Sequence, residues 1–312
     1  MCNNLGMANF DEQYIALCEK IISEGHTIGS ERTGVGTRKL FGQTLRFDLS
    51  KEFPILTSKF VGWKSAILEM LWIYQEQSND VRWLKDRGIK IWDGWAADEN
   101  GVYKQVGGKA GMADLSKGAK KQDGGRELKL GSEYAHTIGT AYGWIVKQYG
   151  LTDRLLNVLK TNPQDRRMIM SLWQEEYLAT ACLPSCAWNT QWCVTGKKLN
   201  VTLNIRSSDV ALGLPYNVTQ YATLAHLLAQ STGHEVGEML VVLNDAHLYS
   251  NQIEGIKEQI RVYREKGCPP PPKFWINPKI KDFYKFDNTK ELKDIKIMDY
   301  EYNMKISFPV SV

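Results

Sequence analysis

The stretch from Cys182 to Asn217 constrains the fold more than any other part of the chain. Residues 191–194 and 199–205 alternate apolar and polar side chains around Thr195-Gly196-Lys197-Lys198. That pattern predicts two antiparallel strands joined by a short turn, with Leu199, Val201, Leu203 and Ile205 on one face. Cys186, in Pro184-Ser185-Cys186-Ala187, precedes the first strand, and Arg206-Ser207-Ser208-Asp209 follows the second. If the strands pair, a cation lies near a cysteine, the condition that populates a thiolate. Taken alone, Cys186 fits a buried small hydrophobe as well as a nucleophile.

Residues 10–24 predict an amphipathic helix with Tyr14, Leu17, Cys18 and Ile21 on one face, Asn9 as N-cap and Gly25 as stop. Leu45, Phe47 and Leu49 suggest a half-buried strand, and residues 60–75 a buried helix. A helix over 218–231 closed by Gly233, a strand over 238–243 and a polar helix over 251–266 follow. Pro269 to Pro272 form a stiff break, and the tail 305–312 alternates like a strand. Strands and helices at unequal spacing indicate an α+β fold, a mixed sheet flanked by helices in one domain over 1–312. Eight glycines lie between Gly101 and Gly131 with few large apolar residues, so 96–139 reads as a surface insertion.

The net charge of +4 is too weak to argue for nucleic acid and suits a small anionic substrate equally well. Met1 to Phe10 has no basic region followed by an apolar run, and no stretch has the length to cross a bilayer, so a cytoplasmic protein is expected. The six cysteines are irregularly spaced, which favours free thiols, and no Cys or His cluster completes a metal site.

Other groups carry two readings each. Gly29-Ser30-Glu31-Arg32-Thr33-Gly34 has P-loop glycine spacing, but Val35 stands where lysine is required, and Gly34-Val35-Gly36 lacks the third glycine of a dinucleotide fingerprint. Arg32 is then a surface-turn arginine or a phosphate clamp, and the segment alone favours the surface turn. Glu69 has apolar neighbours on nearly all sides. A buried carboxylate must be paired or protonated, which suits proton transfer near neutral pH; otherwise Glu69 marks the polar edge of its helix. Arg166-Arg167 is a concentrated positive site or a solvated pair. Asn217 is a polar contact or the N-cap of the next helix, and His247 and Tyr249 could form a structural hydrogen-bond network.

Taken in order, these segments resemble the thymidylate synthase family over nearly the whole chain. The resemblance rests on Arg32-Thr33-Gly34-Val35-Gly36-Thr37, Phe53-Pro54-Ile55-Leu56-Thr57-Ser58-Lys59, Glu69-Met70-Leu71-Trp72 and Ile91-Trp92-Asp93-Gly94-Trp95. It continues through Ala141-Tyr142-Gly143, Arg166-Arg167, the Pro-Ser-Cys segment, Arg206-Ser207-Ser208-Asp209, Leu212-Gly213-Leu214-Pro215-Tyr216-Asn217 and His247-Leu248-Tyr249-Ser250-Asn251. It implies a sheet-mediated homodimer that methylates dUMP with 5,10-methylenetetrahydrofolate as carbon donor and reductant, without metal. Cys186 would add to C6 of the pyrimidine. Arg32, Arg206 and Ser207 would bind the 5′-phosphate, with Arg166 and Arg167 contributed across the subunit interface. His247 and Tyr249 would hold the ribose, and Asn217 would read the base. Glu69, Tyr142 and Asp209 would complete the catalytic set. Lys59, Trp92, Trp95, Asp209, Leu212, Gly213, Tyr216 and Val312 would line the folate site.

Three positions depart from the family pattern: Ala187 stands where many members carry histidine, Asn244 for a glycine, and Ile205 for a polar residue. Two rivals share the scaffold. A pyrimidine hydroxymethylase would let water capture the methylene, and an inactive homologue would only bind nucleotide or RNA. The amide of Asn217 can accept from uracil N3–H and donate to O4, which favours dUMP over dCMP. No basic stripe with interleaved aromatics supports RNA binding.

Overall fold

The computed structural model describes residues 9–29, 35–104 and 127–310. Along them run α1 (Phe10–Glu24), β1 (His26–Ile28), β2 (Thr37–Asp48), α2 (Trp63–Tyr74), α3 (Arg82–Lys85), β3 (Val102–Lys104), β4 (Glu127–Lys129), α4 (Gly143–Gln148) and α5 (Leu151–Thr161). Then come β5 (Ile169–Ser171), β6 (Ala187–Thr195), β7 (Lys198–Ile205), β8 (Ser208–Asp209), α6 (Gly213–Thr232), β9 (Glu235–Tyr249), α7 (Ile253–Lys266), β10 (Lys273–Ile276) and β11 (Ile295–Met298).

The hairpin expected from the sequence forms the middle of a seven-stranded sheet ordered β1-β2-β9-β7-β6-β5, with β8 beside β9. The sheet is mixed: β7 and β8 run parallel to β9, and the other neighbouring pairs are antiparallel. Parallel neighbours need a crossover, and α6 supplies it between β7 and β9. Alternation decides the two faces. Leu199, Val201, Leu203 and Ile205 of β7 and Met239, Val241 and Leu243 of β9 are buried and turn to the core. α6 packs on β7 and β9, α2 packs on α6, and α1 packs on β2. The core is close-packed there, so truncating Leu203 to alanine would cost about 2–5 kcal/mol. The opposite face, with Asn189, Gln191, Thr202, Asn204, Leu240 and Val242, keeps partial exposure.

The first helix matches its expected bounds, and the Asn9 side chain accepts from Glu12 N at 2.9 Å. Gly25 is the C-cap in extended backbone, and only glycine fits there because a Cβ would sit 2.4 Å from the Ile21 carbonyl oxygen. Gly233 closes α6 in the left-handed region at φ 76°. Other elements differ from expectation. α2 begins at Trp63 rather than residue 60. α6 begins at Gly213, which excludes Asn217 as its N-cap. Pro215 does not prevent the earlier start, since its missing N–H falls in the first turn, where donors have no helical partner.

The ends of the glycine-rich segment are anchored, and the tail differs from expectation. At the ends of the 96–139 segment, Ala97, Tyr103 and Ile138 are buried, and β3 pairs with β4 opposite Tyr103 and Leu128. A few well-placed large side chains anchor both ends to the core, and residues 105–126 lie outside the described residues. The tail is not a strand through residue 310; it is held by single contacts, Phe60 N to Met304 O at 2.8 Å and the buried Phe308 ring.

Candidate active site

The paired strands β6 and β7 bring Cys186 and Arg206 together as their order requires. Ala187 opposes Ile205, and Arg206 N donates to Cys186 O at 3.0 Å. The guanidinium then folds back over the preceding loop. Its Nε donates to Ser185 O at 3.0 Å and its Nη2 to Pro184 O at 2.7 Å, which leaves Nη2 3.7 Å from Cys186 Sγ. The Trp173 ring lies 5.4 Å from the same guanidinium. A cation at that distance from sulfur favours the thiolate form of a cysteine. Cys186 immediately precedes β6, and its side chain is half-buried.

Tyr142 fixes the other side of the cysteine. Its hydroxyl accepts from Cys186 N at 3.1 Å, and its ring meets Trp92 edge-on at 5.2 Å. Its φ is 48°, a conformation that costs a non-glycine residue about 1–3 kcal/mol and that packing must hold in place. Burial raises the phenol well above its ordinary pKa, so it remains a neutral hydroxyl.

Glu69 is buried on α2, which decides between its two readings. Its Oε1 accepts from Trp92 Nε1 at 2.7 Å and its Oε2 from Gln220 Nε2 at 2.5 Å. Burial pushes the carboxyl up to about 7, against the lowering effect of these two donors. Gln220 in turn accepts from Asn217 Nδ2 at 3.1 Å. Glu69, Tyr142, Asn217, Gln220, Tyr221 and Ala187 line a cavity of about 30 Å³. Its size and polar lining are those of a site for one bridging water. Trp95 stands edge-on to Trp92 at 5.6 Å and widens the aromatic wall.

A second cluster forms because β8 lies parallel to β9, with Ser208 opposite Ala246 and Asp209 opposite His247. This sets Arg206-Ser207 beside the end of β9. His247 Nδ1 bonds Asp245 Oδ1 at 2.9 Å, Asp245 also pairs with Lys39 at 2.7 Å, and the Tyr249 ring packs edge-on to His247 at 5.2 Å. Asp209 accepts from Leu212 N at 3.1 Å, just before Gly213 opens α6, and from Gln252 Nε2 at 3.0 Å. Gln252 reaches Pro309 O of the tail at 3.3 Å. Lys59 is buried, donates to Ala211 O, and faces the Phe308 ring at 4.6 Å. Burial lowers its ammonium to about 8. Tyr216 packs its hydroxyl against Gly62.

Two expected groups are not brought to this site within the chain. Arg166 and Arg167 are exposed; Arg167 makes a bidentate pair with Asp165 at 2.9 and 2.8 Å and borders a separate cavity of about 200 Å³. Arg32 and Val312 lie outside the described residues. Sequence reasoning also missed three polar partners. Gln220 is three residues after Asn217 on one helix, a spacing that puts both on the same face. Asp245 is two residues before His247 on one strand, and Gln252 is buried and accepts from Tyr249 N at 3.0 Å. Among the described residues, no group of three or more His, Cys, Asp or Glu could hold a metal ion, and no helix is long and apolar enough to cross a membrane.

Comparison with known proteins identifies the family. A family model described as thymidylate synthase matches residues 12–312. A thymidylate synthase of Clostridium beijerinckii is 42% identical over 306 residues, covering 98% of this chain and 100% of that protein. One from Bacillus licheniformis is 36% identical over 319 residues, at the same coverage. Among solved structures, the thermostable thymidylate synthase A of Bacillus subtilis superposes with a TM-score of 0.79 at 34% identity, covering 98% of this chain and 100% of that one. With sequence, family model and fold in agreement over almost its full length, this chain belongs to the thymidylate synthase family.

Proposed function

We propose that the enzyme methylates dUMP at C5 to give dTMP, using 5,10-methylenetetrahydrofolate as carbon donor and reductant and releasing dihydrofolate. The observation that carries this reading is the placement of Cys186 Sγ 3.7 Å from the Arg206 guanidinium, with its backbone fixed by Tyr142. Tyr142 also lines the cavity that holds Glu69 and Asn217. In this reading Cys186 is the thiolate nucleophile, Glu69, whose carboxyl burial pushes up to about 7, exchanges protons, and the Asn217 amide reads the pyrimidine.

Uracil C5 is a weak nucleophile. Addition of the Cys186 thiolate to C6 creates an enolate, and C5 then attacks the folate's one-carbon unit. Loss of the C5 proton and departure of tetrahydrofolate give an exocyclic methylene. Hydride from the tetrahydrofolate reduces it, the sulfur–C6 bond breaks, and dTMP and dihydrofolate leave. Glu69, held by Trp92 and Gln220, sits at the pKa suited to exchanging protons at O4 and on the departing folate through a bridging water. Arg206 and Ser207, beside His247 and Tyr249, receive the phosphate and ribose. Arg32 belongs to the same phosphate set. Trp92, Trp95, Leu212, Gly213 and Tyr216 form the folate wall, with Lys59 and Asp209 as its polar groups. The tail, anchored at Phe308, covers the folate and keeps water from the intermediate, and Val312 belongs to the same folate set.

The site is completed in a homodimer. Arg166 and Arg167 are exposed just before edge strand β5, and among the described residues the sheet face with Leu240 and Val242 keeps partial exposure. Pairing two such faces would deliver each arginine pair to the other subunit's phosphate site. The test of the function is a product assay with dUMP and 5,10-methylenetetrahydrofolate, identifying the nucleotide by mass. Equimolar dTMP and dihydrofolate are expected. Tetrahydrofolate with 5-hydroxymethyl-dUMP would replace hydride transfer by capture of water, and no product would overturn the reading.

A further inference from the structure

Gln220 stands between the two groups on which base recognition and proton transfer depend. Its side chain is buried, and both ends of its amide are engaged: Nε2 donates to Glu69 Oε2 at 2.5 Å and Oε1 accepts from Asn217 Nδ2 at 3.1 Å. With Glu69 ionised, the direction of both bonds is fixed. Ionised Glu69 can only accept, so Gln220 must turn its NH₂ toward the carboxylate. Its carbonyl oxygen then faces Asn217, and only the NH₂ of Asn217 can answer it. Trp92 Nε1 donates to the other oxygen of Glu69 at 2.7 Å, which leaves Oε2 as the atom that Gln220 reads.

We propose that Gln220 is a positioning residue that transmits the donor–acceptor polarity of Glu69 to the amide of Asn217 and thereby sets the preference for uracil over cytosine. This rests on the reading of the site as a dUMP methylase. With Nδ2 anchored on Gln220, Asn217 keeps a defined pair, Oδ1 as acceptor and the second Nδ2–H as donor. Uracil offers the matching N3–H and O4. Were Gln220 to turn over, Asn217 would invert with it, and acceptor and donor would exchange places. The inverted pair suits cytosine, which offers an N3 acceptor and an N4 donor. A proton on Oε2 competes with the Gln220 N–H for one position, so the same contact also acts on the titration of Glu69. The other titratable groups facing Glu69 are the phenols of Tyr142, Tyr216 and Tyr221, all raised by burial and neutral at neutral pH.

The experiment uses two variants of the full chain. Gln220→Met keeps the length and removes both bonds. Gln220→Glu, when protonated, keeps a donor toward Glu69 and an acceptor toward Asn217. Wild-type turnover of dUMP to dTMP is measured first; its absence would sink the functional reading and not the geometry of the relay. Dissociation constants for dUMP and dCMP are then measured by calorimetry, with the pH profile of kcat and the melting temperature. In Gln220→Met, the preference for dUMP, read as the dissociation constant for dCMP divided by that for dUMP, should fall about tenfold, the size expected for losing one oriented hydrogen bond. The limb of the profile belonging to Glu69 should move to higher pH, because a donor to the carboxylate is gone. In Gln220→Glu, selectivity should persist at low pH and decline as pH rises. A Gln220→Met protein of normal melting temperature with wild-type selectivity and an unmoved limb would overturn the proposal. If Gln220→Met does not fold, a Gln220→Glu variant whose selectivity is independent of pH would do the same.

Discussion

Glu69→Gln should make the protein more stable at alkaline pH, and by an amount the structure bounds. The side chain is buried, and burial raises its carboxyl from 4.5 to about 7. The folded state therefore holds the proton more tightly than the unfolded chain does. Its contribution to stability is intact below pH 4.5 and is lost as pH rises through 7. The full loss, reached by pH 8, is about 3 kcal/mol. Glutamine does not titrate and fits the same place: its oxygen accepts from Trp92, and its NH₂ can face Gln220 once that amide turns over. The gap between variant and wild type should be near zero at pH 4.5 and grow to about 3 kcal/mol in favour of the variant at pH 8. Urea unfolding of both proteins at equal concentration, followed by circular dichroism, measures it, with concentration fixed because association adds to apparent stability. Other titrating groups cancel in the difference. A gap that does not change with pH, or a variant less stable at pH 8, would refute a buried, neutral-leaning Glu69. The more stable variant should also be severely impaired in turnover, since it has lost its proton-exchanging group.

Three further outcomes follow from the same geometry. Cys186→Ser should reduce turnover to near background while dUMP still binds in calorimetry; substantial residual turnover would remove Cys186 as nucleophile. Asn217→Asp should erode the preference for dUMP over dCMP by about tenfold or more, because a carboxyl complements cytosine better; an unchanged ratio of kcat/KM values would contradict the base-reading role. A Cys186→Ser chain mixed with an Arg166→Ala/Arg167→Ala chain should regain activity that neither has alone, since one site of each mixed dimer has an intact cysteine and intact partner arginines; no recovery after confirmed subunit exchange would contradict the shared phosphate site.

The parts of this fold that sequence made legible are those where a periodic pattern met a single neighbour. Asn9 and Gly25 bound α1 because capping is a local contest. The β6–β7 hairpin was readable because Leu199 to Ile205 alternate without interruption, and the hairpin alone sufficed to place Arg206 near Cys186. Reading failed where a distant partner decides. β9 runs on from Leu243 to Tyr249 because β2 and β8 pair with it there, although Asn244 and Asp245 break the apolar pattern. The tail alternates from Lys305 but has no ladder through residue 310, since alternation gives a strand only beside an available edge. Gln220 carried little signal because it is one of several polar residues in α6, and its partner Glu69 is 151 positions earlier. Glu69 itself was ambiguous for the same reason: whether it is buried or at a helix edge depends on Trp92 and α6, not on its own segment.

The most direct test of covalent catalysis at Cys186 uses dUMP carrying fluorine in place of hydrogen at C5. That compound can add the thiolate at C6 and accept the folate carbon at C5, but it has no C5 proton to lose. Intact and peptide mass spectrometry after incubation with 5,10-methylenetetrahydrofolate should find the protein heavier by the nucleotide and the folate together, with the added mass on the peptide containing Cys186. A protein of unchanged mass, under conditions where dUMP is turned over, or an adduct on any other residue would contradict the mechanism.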